Sequence, residues 1–391
     1  MRVRAEKCGP ARRYIHRLAA LFSIGVGLSC QDSLAPLSGE TIIVSNQAPG
    51  LALVSAELAR VVGRIQPIDA YKSSFARSPD STTLYFVGGS DLIALDTRSF
   101  DIRWRERRIS DGVRRFLKDG IEIYGVGATG VSPDGSRLFV SGAYLGLAEA
   151  GVPSGIAVLD AGNRARAGFV DSLFVIDNGL FALPPGPVAA GGAMVAVGRR
   201  LQRAKPFLDW LFVIDPLTLR IVDSAAVAPP VTGCCSIDFA IPAKDGRHVY
   251  VSGSSTLYKF DLLTHQIVAT ARPTNGFLTL SPDGQTLYVT DYGIQVELPG
   301  SGRISVYSGD LEPQGYIDIS ESAAVNGAPP TTWHAAVSRD GSRLYVTSGT
   351  SHIAGNFGEQ PARLLIVDVV KRQLIKAVPL GDWSPADLFV R

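Results

Sequence analysis

Cys234 and Cys235 are neighbours in the chain, as are Trp333 and His334, and these two pairs hold the side chains best suited to chemistry. In an exported protein thiols tend to be oxidised. Cys234 and Cys235 would then close a strained vicinal disulfide, a rigid apolar turn able to floor a pocket, or stay reduced as two small hydrophobes at a strand start. Nothing resembles the Cys-x-x-Cys of a redox centre. Adjacent Cys residues strain tetrahedral chelation and no paired His lies nearby in sequence, so no metal is expected. His334 has the chemistry of a base, a metal ligand or an anion receptor. The plainer reading is a histidine that bonds a neighbouring backbone group and packs under Trp333. His248, His265 and His352 fall at a turn, in a hairpin and in a loop.

Other routes to a reaction are thin. There is no phosphate-binding Gly loop, no zinc spacing and no nucleophile–base pair supported by spacing alone. Gly127–Gly130 precedes a strand, so it lacks the helix a phosphate cradle needs. No cofactor is expected, and no haem-attachment motif is present. The absent catalytic set, with the closed ring and lipobox-like signal described below, leads to the expectation of a binding role more than an enzyme.

The elements that must position these residues repeat along the chain. Ser281-Pro282-Asp283-Gly284 is a tight turn: Pro presets φ, Asp bonds its own backbone, and Gly takes a positive φ. The β-formers Leu287–Thr290 follow it. Related turns occur at Ser78–Asp80, Ser132–Gly135, Ala243–Gly246 and Ser338–Gly341, each leading into an apolar strand. After a variable loop comes a second apolar run that usually ends in Asp, at 96, 160, 215, 261 and 368, with Ser308 in the remaining copy. One such Asp in nearly every copy argues for a turn cap, not for acid catalysis. A last strand then follows in most copies.

Each unit is thus four antiparallel strands, A to D, the pattern of a propeller blade. The turn positions 78, 132, 243, 281 and 338 leave gaps of 54, 111, 38 and 57 residues. The gap of 111 must hold two blades, with 188–197 as a degenerate A/B pair of the extra one. At the head, residues 41–65 supply strands B, C and D without an A; at the tail, Ala386–Val390 is an A strand with nothing after it. Pairing tail with head removes both free edges. The fold predicted is an all-β, seven-bladed β-propeller closed by its C-terminal strand, with units at 40–66 plus 384–391, 72–109, 119–172, 173–228, 232–272, 275–320 and 331–380.

In such a ring strand A lines the channel, so residues leading into A strands converge. Here these are residues 71–75, 233–238, 275–277, 332–334 and 382–383. The ligand-binding candidates are Cys234, Cys235, Trp333, His334 and Trp383; a hydrolytic alternative uses His334 with Asp238. The long loops 142–154, 198–208, 292–302 and 348–361 all follow strand B and so project from one face, where binding usually sits.

Leu287–Asp291, Leu344–Ser348, Val249–Gly253 and Leu138–Gly142 resemble the YVTN family of β-propeller repeats, over about residues 40–391. The resemblance implies a seven-bladed ring with any site on the channel or at its mouth. That superfamily includes surface-layer and periplasmic proteins, haem-d1-type domains and lactonase-like enzymes. No stretch matches a family catalytic motif residue by residue.

Six basic side chains against Glu6 give residues 1–29 a charge of +5, which leaves −3 for the rest of a chain of net charge +2. A mildly acidic body has no electrostatic footprint for nucleic acid. The apolar run Leu18–Ser29 behind the basic segment reads as a secretory signal, too short for a permanent span. It ends in Gly27-Leu28-Ser29-Cys30, which resembles a bacterial lipobox with Gly27 in place of the usual large aliphatic; ordinary cleavage near Ser29 and an uncleaved anchor are the alternatives. The organisation expected is a signal at 1–29, a tether at 30–39 lipidated at Cys30, and a propeller at 40–391. The protein expected is a monomeric, membrane-tethered propeller of the bacterial cell envelope, facing periplasm or exterior. Its partner would be an envelope protein, peptide or glycan.

Overall fold

The computed structural model describes residues 39–46, 50–65, 75–88, 91–106, 126–142, 155–171, 173–200, 209–227, 237, 239–253, 256–272, 276–291, 300–349, 360–381 and 385–391. The predicted signal and Cys30, with the tether up to residue 38, lie outside them. So do Cys234, Cys235, Asp238 and Trp383.

Among the described residues, twenty-eight strands form seven four-stranded antiparallel sheets. Blade 1 begins with β1 (Thr41–Asn46), β2 (Leu51–Ser55) and β3 (Arg60–Ile65). Blade 2 holds β4 (Ala76–Arg77), β5 (Thr83–Gly88), β6 (Asp91–Asp96) and β7 (Ile102–Glu106). Blade 3 holds β8 (Val126–Val131), β9 (Arg137–Gly142), β10 (Gly155–Asp160) and β11 (Arg166–Asp171). Blade 4 holds β12 (Leu173–Leu183), β13 (Ala193–Arg200), β14 (Asp209–Ile214) and β15 (Ile221–Ala226). Blade 5 holds β16 (Phe239–Pro242), β17 (His248–Gly253), β18 (Thr256–Asp261) and β19 (Gln266–Ala271). Blade 6 holds β20 (Leu278–Leu280), β21 (Thr286–Val289), β22 (Arg303–Ser308) and β23 (Pro313–Asp318). Blade 7 holds β24 (Thr332–Val337), β25 (Arg343–Ser348), β26 (Ala362–Asp368) and β27 (Gln373–Gly381). The tail strand β28 (Pro385–Val390) then returns to blade 1.

Closure follows the expected pairing of tail with head. Strand β28 pairs antiparallel with β1, with Phe389 opposite Ile43 and Leu388 opposite Val44. The Arg391 N–H donates to Thr41 O at 2.9 Å.

The core is divided among the seams between blades. Seven apolar clusters each draw on two neighbouring blades and together run round the ring from blade 1 to blade 7 and back. Successive residues of a strand point to opposite faces. Ile42 and Val44 therefore pack on blade 7, while Ile43 packs on blade 2. Both faces of each sheet are covered, which is why these strands read as unbroken apolar runs. Each Leu, Ile or Val so buried contributes about 1.5–3 kcal/mol.

The turn chemistry is as the sequence predicts. Ser78 Oγ donates to Asp80 Oδ1 (2.6 Å) and accepts from Thr83 N (2.9 Å). Ser132 and Ser338 repeat the arrangement. Gly135, Gly284 and Gly341 take φ of +76°, +78° and +75°. The Asp ending strand C caps the next turn: Asp96 Oδ1 accepts from Arg98 N (2.7 Å) and Ser99 N (2.9 Å). Asp160, Asp215 and Asp261 do likewise, and Ser308 Oγ takes the same role.

Blade 4 needs a correction. Residues 188–197 are not its A/B pair. Strand A is β12, strand B is β13, and 184–192 form the connection between them. Pro184, Pro185 and Pro187 lack the N–H a central strand requires, so the chain turns there.

Candidate functional site

The first residues of the inner strands carry the site, and the repeat itself holds them in place. The fourth residue of the strand-B motif is Ser or Thr in several blades. Its hydroxyl binds the backbone of one inner-strand residue in the same blade. Ser45 Oγ accepts from Asp387 N (2.8 Å), Ser141 Oγ accepts from Ala128 N (2.7 Å), and Thr290 Oγ1 accepts from Phe277 N (3.0 Å). Thr347 Oγ1 donates to His334 O (3.2 Å). The register shifts at three of these places: Val44 to Asn46, Val126 to Thr129, and Thr332 to Ala335. The hydroxyl replaces the ladder bond that each bulge removes, and a bulge re-aims the side chain it carries.

The bulges in β28 and β24 bring Asp387 and His334 together. His334 Nδ1 lies 3.3 Å from Asp387 Oδ1, and the two side chains are 16% and 17% exposed. Asp387 Oδ2 also accepts from Phe75 N (2.8 Å), in the segment leading into β4. Aromatic rings cover the imidazole. The Phe277 ring centroid is 3.7 Å from that of His334 and 3.6 Å from that of Phe239. Phe239 meets His334 edge-on at 6.4 Å, and Trp333 meets Phe277 edge-on at 6.2 Å. Blades 5, 6, 7 and 1 thus each give a side chain to one cluster, and blade 2 adds a backbone donor.

Burial dominates the electrostatics. It pushes the Asp387 carboxyl up to about 7, against the pull of the Phe75 and Leu388 N–H groups. It pulls His334 down to about 3. Both shifts favour the uncharged forms, because a charge removed from water is costly. Below about pH 7 the Asp387 carboxyl and the imidazole are therefore both uncharged. Above that pH the carboxylate faces a neutral imidazole, Nδ1 3.3 Å from Oδ1.

Of the predicted site residues, the structure brings Trp333 and His334 into this cluster. Phe277, from the predicted 275–277 segment, joins them. His334 does not pack under Trp333: its ring lies on Phe277, and Trp333 Nε1 donates to Gly349 O at 2.9 Å. His248 and His265 have plain roles, paired with Asp245 (2.6 Å) and Asp223 (2.8 Å) at turns. Sequence reasoning missed Asp387 and Phe239. The available signal was an acid inside an otherwise apolar inner strand, Ala386–Val390.

A concavity lies at the other end of the ring, in the seam of blades 7 and 1. It measures about 570 Å³ and is lined by Glu40, Arg339, Arg343 and Arg391 among others. Glu40 is occupied there, accepting from Arg339 N (2.9 Å) and from the Tyr345 hydroxyl. Among the described residues, no three His, Cys, Asp or Glu side chains gather as a metal site.

No protein-family model matches the chain. No curated protein matches it either. Solved structures do. A dihydro-haem d1 dehydrogenase, NirN, in complex with DHE aligns with TM-score 0.56 at 14% identity, covering 91% of this chain and 75% of the other. The β-propeller domain of Cps50 (Swd1) from Myceliophteria thermophila aligns with TM-score 0.54 at 13% identity, covering 81% and 89%. A functionally unknown protein from Desulfotomaculum acetoxidans gives TM-score 0.58 at 10% identity, covering 90% and 99%. Identities this low establish the β-propeller fold and nothing about activity.

Proposed function

We propose that the chain is an exported, lipid-anchored binding propeller of the bacterial cell envelope, of the YVTN type. It takes a peptide or glycan ligand at the channel end where Phe239, Phe277, His334 and Asp387 meet. The observation behind this reading is that side chains from four consecutive blades form one aromatic cluster round a His–Asp contact. Rings supply a stacking face for a sugar or an apolar side chain. The uncharged pair supplies directional hydrogen bonds without a charge that would need to stay hydrated. The Leu18–Ser29 run and Cys30 support export and anchoring.

Binding is tested by titrating the chain without residues 1–30 with glycan and peptide arrays, followed by Phe277→Ala. The expected result is saturable binding lost in the variant; binding that survives Phe277→Ala, or none on either array, overturns the site. Anchoring is tested by labelling cells with a clickable palmitate analogue. Label should appear on the wild type and not on Cys30→Ala.

A second reading is favoured by the His334–Asp387 contact itself: a lactonase-like hydrolase with His334 as general base. His334 is the stronger base beside an ionised Asp387, so turnover would rise above about pH 7. Lactone hydrolysis with that profile, lost in His334→Ala, would select this reading. No turnover at any pH from 6 to 9 would remove it.

A further inference from the structure

Among the described residues, the seam of blades 6 and 7 holds a cation with no counter-charge. Arg363, second residue of β26, is 8% exposed, and its Nε and Nη2 have no hydrogen-bond partner. Ser348 stands directly opposite it in the β25–β26 pairing, is wholly buried, and its Oγ is also without a partner. Opposite residues of an antiparallel pair share a face of the sheet. That face is turned to blade 6. The alternate positions Leu344, Val346, Leu365 and Val367 pack there with Ile304 and Ile317. Thr332, next in the same cross-strand row, bonds the backbone N–H and C=O of Asp291. The Asp291 carboxylate is itself taken up by Ser301 N at 2.8 Å.

A buried guanidinium without a partner carries a desolvation cost that nothing offsets. Burial alone holds its pKa below the usual arginine value. Nε and Nη2 form one edge of the guanidinium, with two parallel N–H bonds spaced to match the two oxygens of a carboxylate. This chain uses that edge elsewhere in the same way. Arg247 clamps both oxygens of Asp261 through Nε and Nη2, while Arg103 brings the same two atoms to one oxygen of Asp96, Oδ2. At Arg363 the edge is presented beside an idle hydroxyl.

We propose that Arg363 and Ser348 form a carboxylate-binding site in the blade 6–7 seam, at the same end of the ring as Trp333. The ligand's two oxygens accept from Nε and Nη2, and the Ser348 hydroxyl is the third donor. The site stands independently of any ligand at His334.

The test is a titration followed by arginine Nε–H NMR, on the wild type and on Arg363→Met. Probes are acetate, phosphate, and one pentapeptide with either a free or an amidated C-terminus. One Nε–H cross-peak, absent from Arg363→Met, should shift saturably with acetate and less with phosphate. A response tenfold tighter to the free-acid peptide than to acetate or the amide would assign the carboxylate to a peptide end; equal responses to acetate and peptide would assign it to a small free acid. Arg363→Met should melt at or above the temperature of the unliganded wild type, because it removes an unpaired buried charge. Arg363→Lys, which keeps the charge but not the fork, should bind acetate at least tenfold more weakly. A peak unmoved by acetate and peptide, a stronger response to phosphate, or full acetate binding in Arg363→Lys overturns the proposal.

Discussion

Asp387→Asn and His334→Asn should give the protein opposite pH dependences of stability, although the wild-type pair gives almost none. The reason lies in the proton count. In the unfolded chain an Asp has released its proton above about pH 4 and a His is protonated below about pH 6.5. Between these values the unfolded pair holds one ionisable proton, on His. In the folded protein Asp387, raised to about 7, keeps its proton, while His334, lowered to about 3, has none. The folded pair also holds one. With equal counts, the pair contributes no slope of stability against pH in that window. In Asp387→Asn only the histidine titrates. Its folded pKa is depressed, so stability falls as pH drops, by about 1.4 kcal/mol per unit and about 3 kcal/mol from pH 6.5 to 4.5. In His334→Asn only the carboxyl titrates. Its folded pKa is raised, so stability is greatest at low pH and falls by about 3 kcal/mol from pH 4.5 to 6.5. Urea unfolding at 0.5-unit pH steps measures all three proteins, each variant taken relative to wild type. That difference cancels the capping carboxylates such as Asp80 and Asp340, held down to about 2. Parallel slopes in the two variants would refute the uncharged pair. So would an imidazolium pattern for His334 in nitrogen-15 NMR at pH 5.

The remaining predictions concern the frame. Phe389→Ala should cost about 3–5 kcal/mol in chemical denaturation, because Phe389 is buried in the blade 1–2 seam and pairs with Ile43. Removing residues 385–391 should abolish the cooperative transition by calorimetry, since it exposes the inner edge of blade 1. Gly341→Ala and Gly276→Ala should differ sharply. Gly341 has φ +75° with its nearest neighbour 4.0 Å from an added Cβ, so the change costs about 1 kcal/mol of backbone strain in a thermal melt. At Gly276 a Cβ would lie 1.5 Å from Thr290 O, so blade 6 must shift and the loss should exceed about 3 kcal/mol. Asp261→Ala removes the partner of Arg247 and the cap of its turn, and should lower stability by about 1–3 kcal/mol in the same assay.

The amino-acid sequence determined what depends on near neighbours. Ser338, Asp340 and Gly341 close their turn with bonds spanning two to five residues, and Asp96 caps a turn beginning at itself. Such bonds are visible as spacing, and repetition of the spacing gives seven blades. The missing strand A at the head and the spare one at the tail gave the closure. Blade 4 was misread because its turn carries Pro184-Pro185-Gly186 in place of the Ser-Pro-Asp-Gly pattern. The Ser and Thr ending the strand-B motif were legible as strand residues, but not as the groups that hold the bulged residues of strand A. Tertiary structure alone decided what meets across the ring. His334 and Asp387 stand in different blades, and their contact exists only because β28 closes beside β24. The rings of Phe239 and Phe277 stack because blades 5 and 6 are neighbours. Arg363 looks like any strand arginine until packing shows that it is buried in the seam with blade 6 and that its Nε and Nη2 meet no partner among the described residues. A repeating sequence specifies the blade through short-range bonds; the chemistry at the axis is set by side chains from different blades, whose meeting no local spacing encodes.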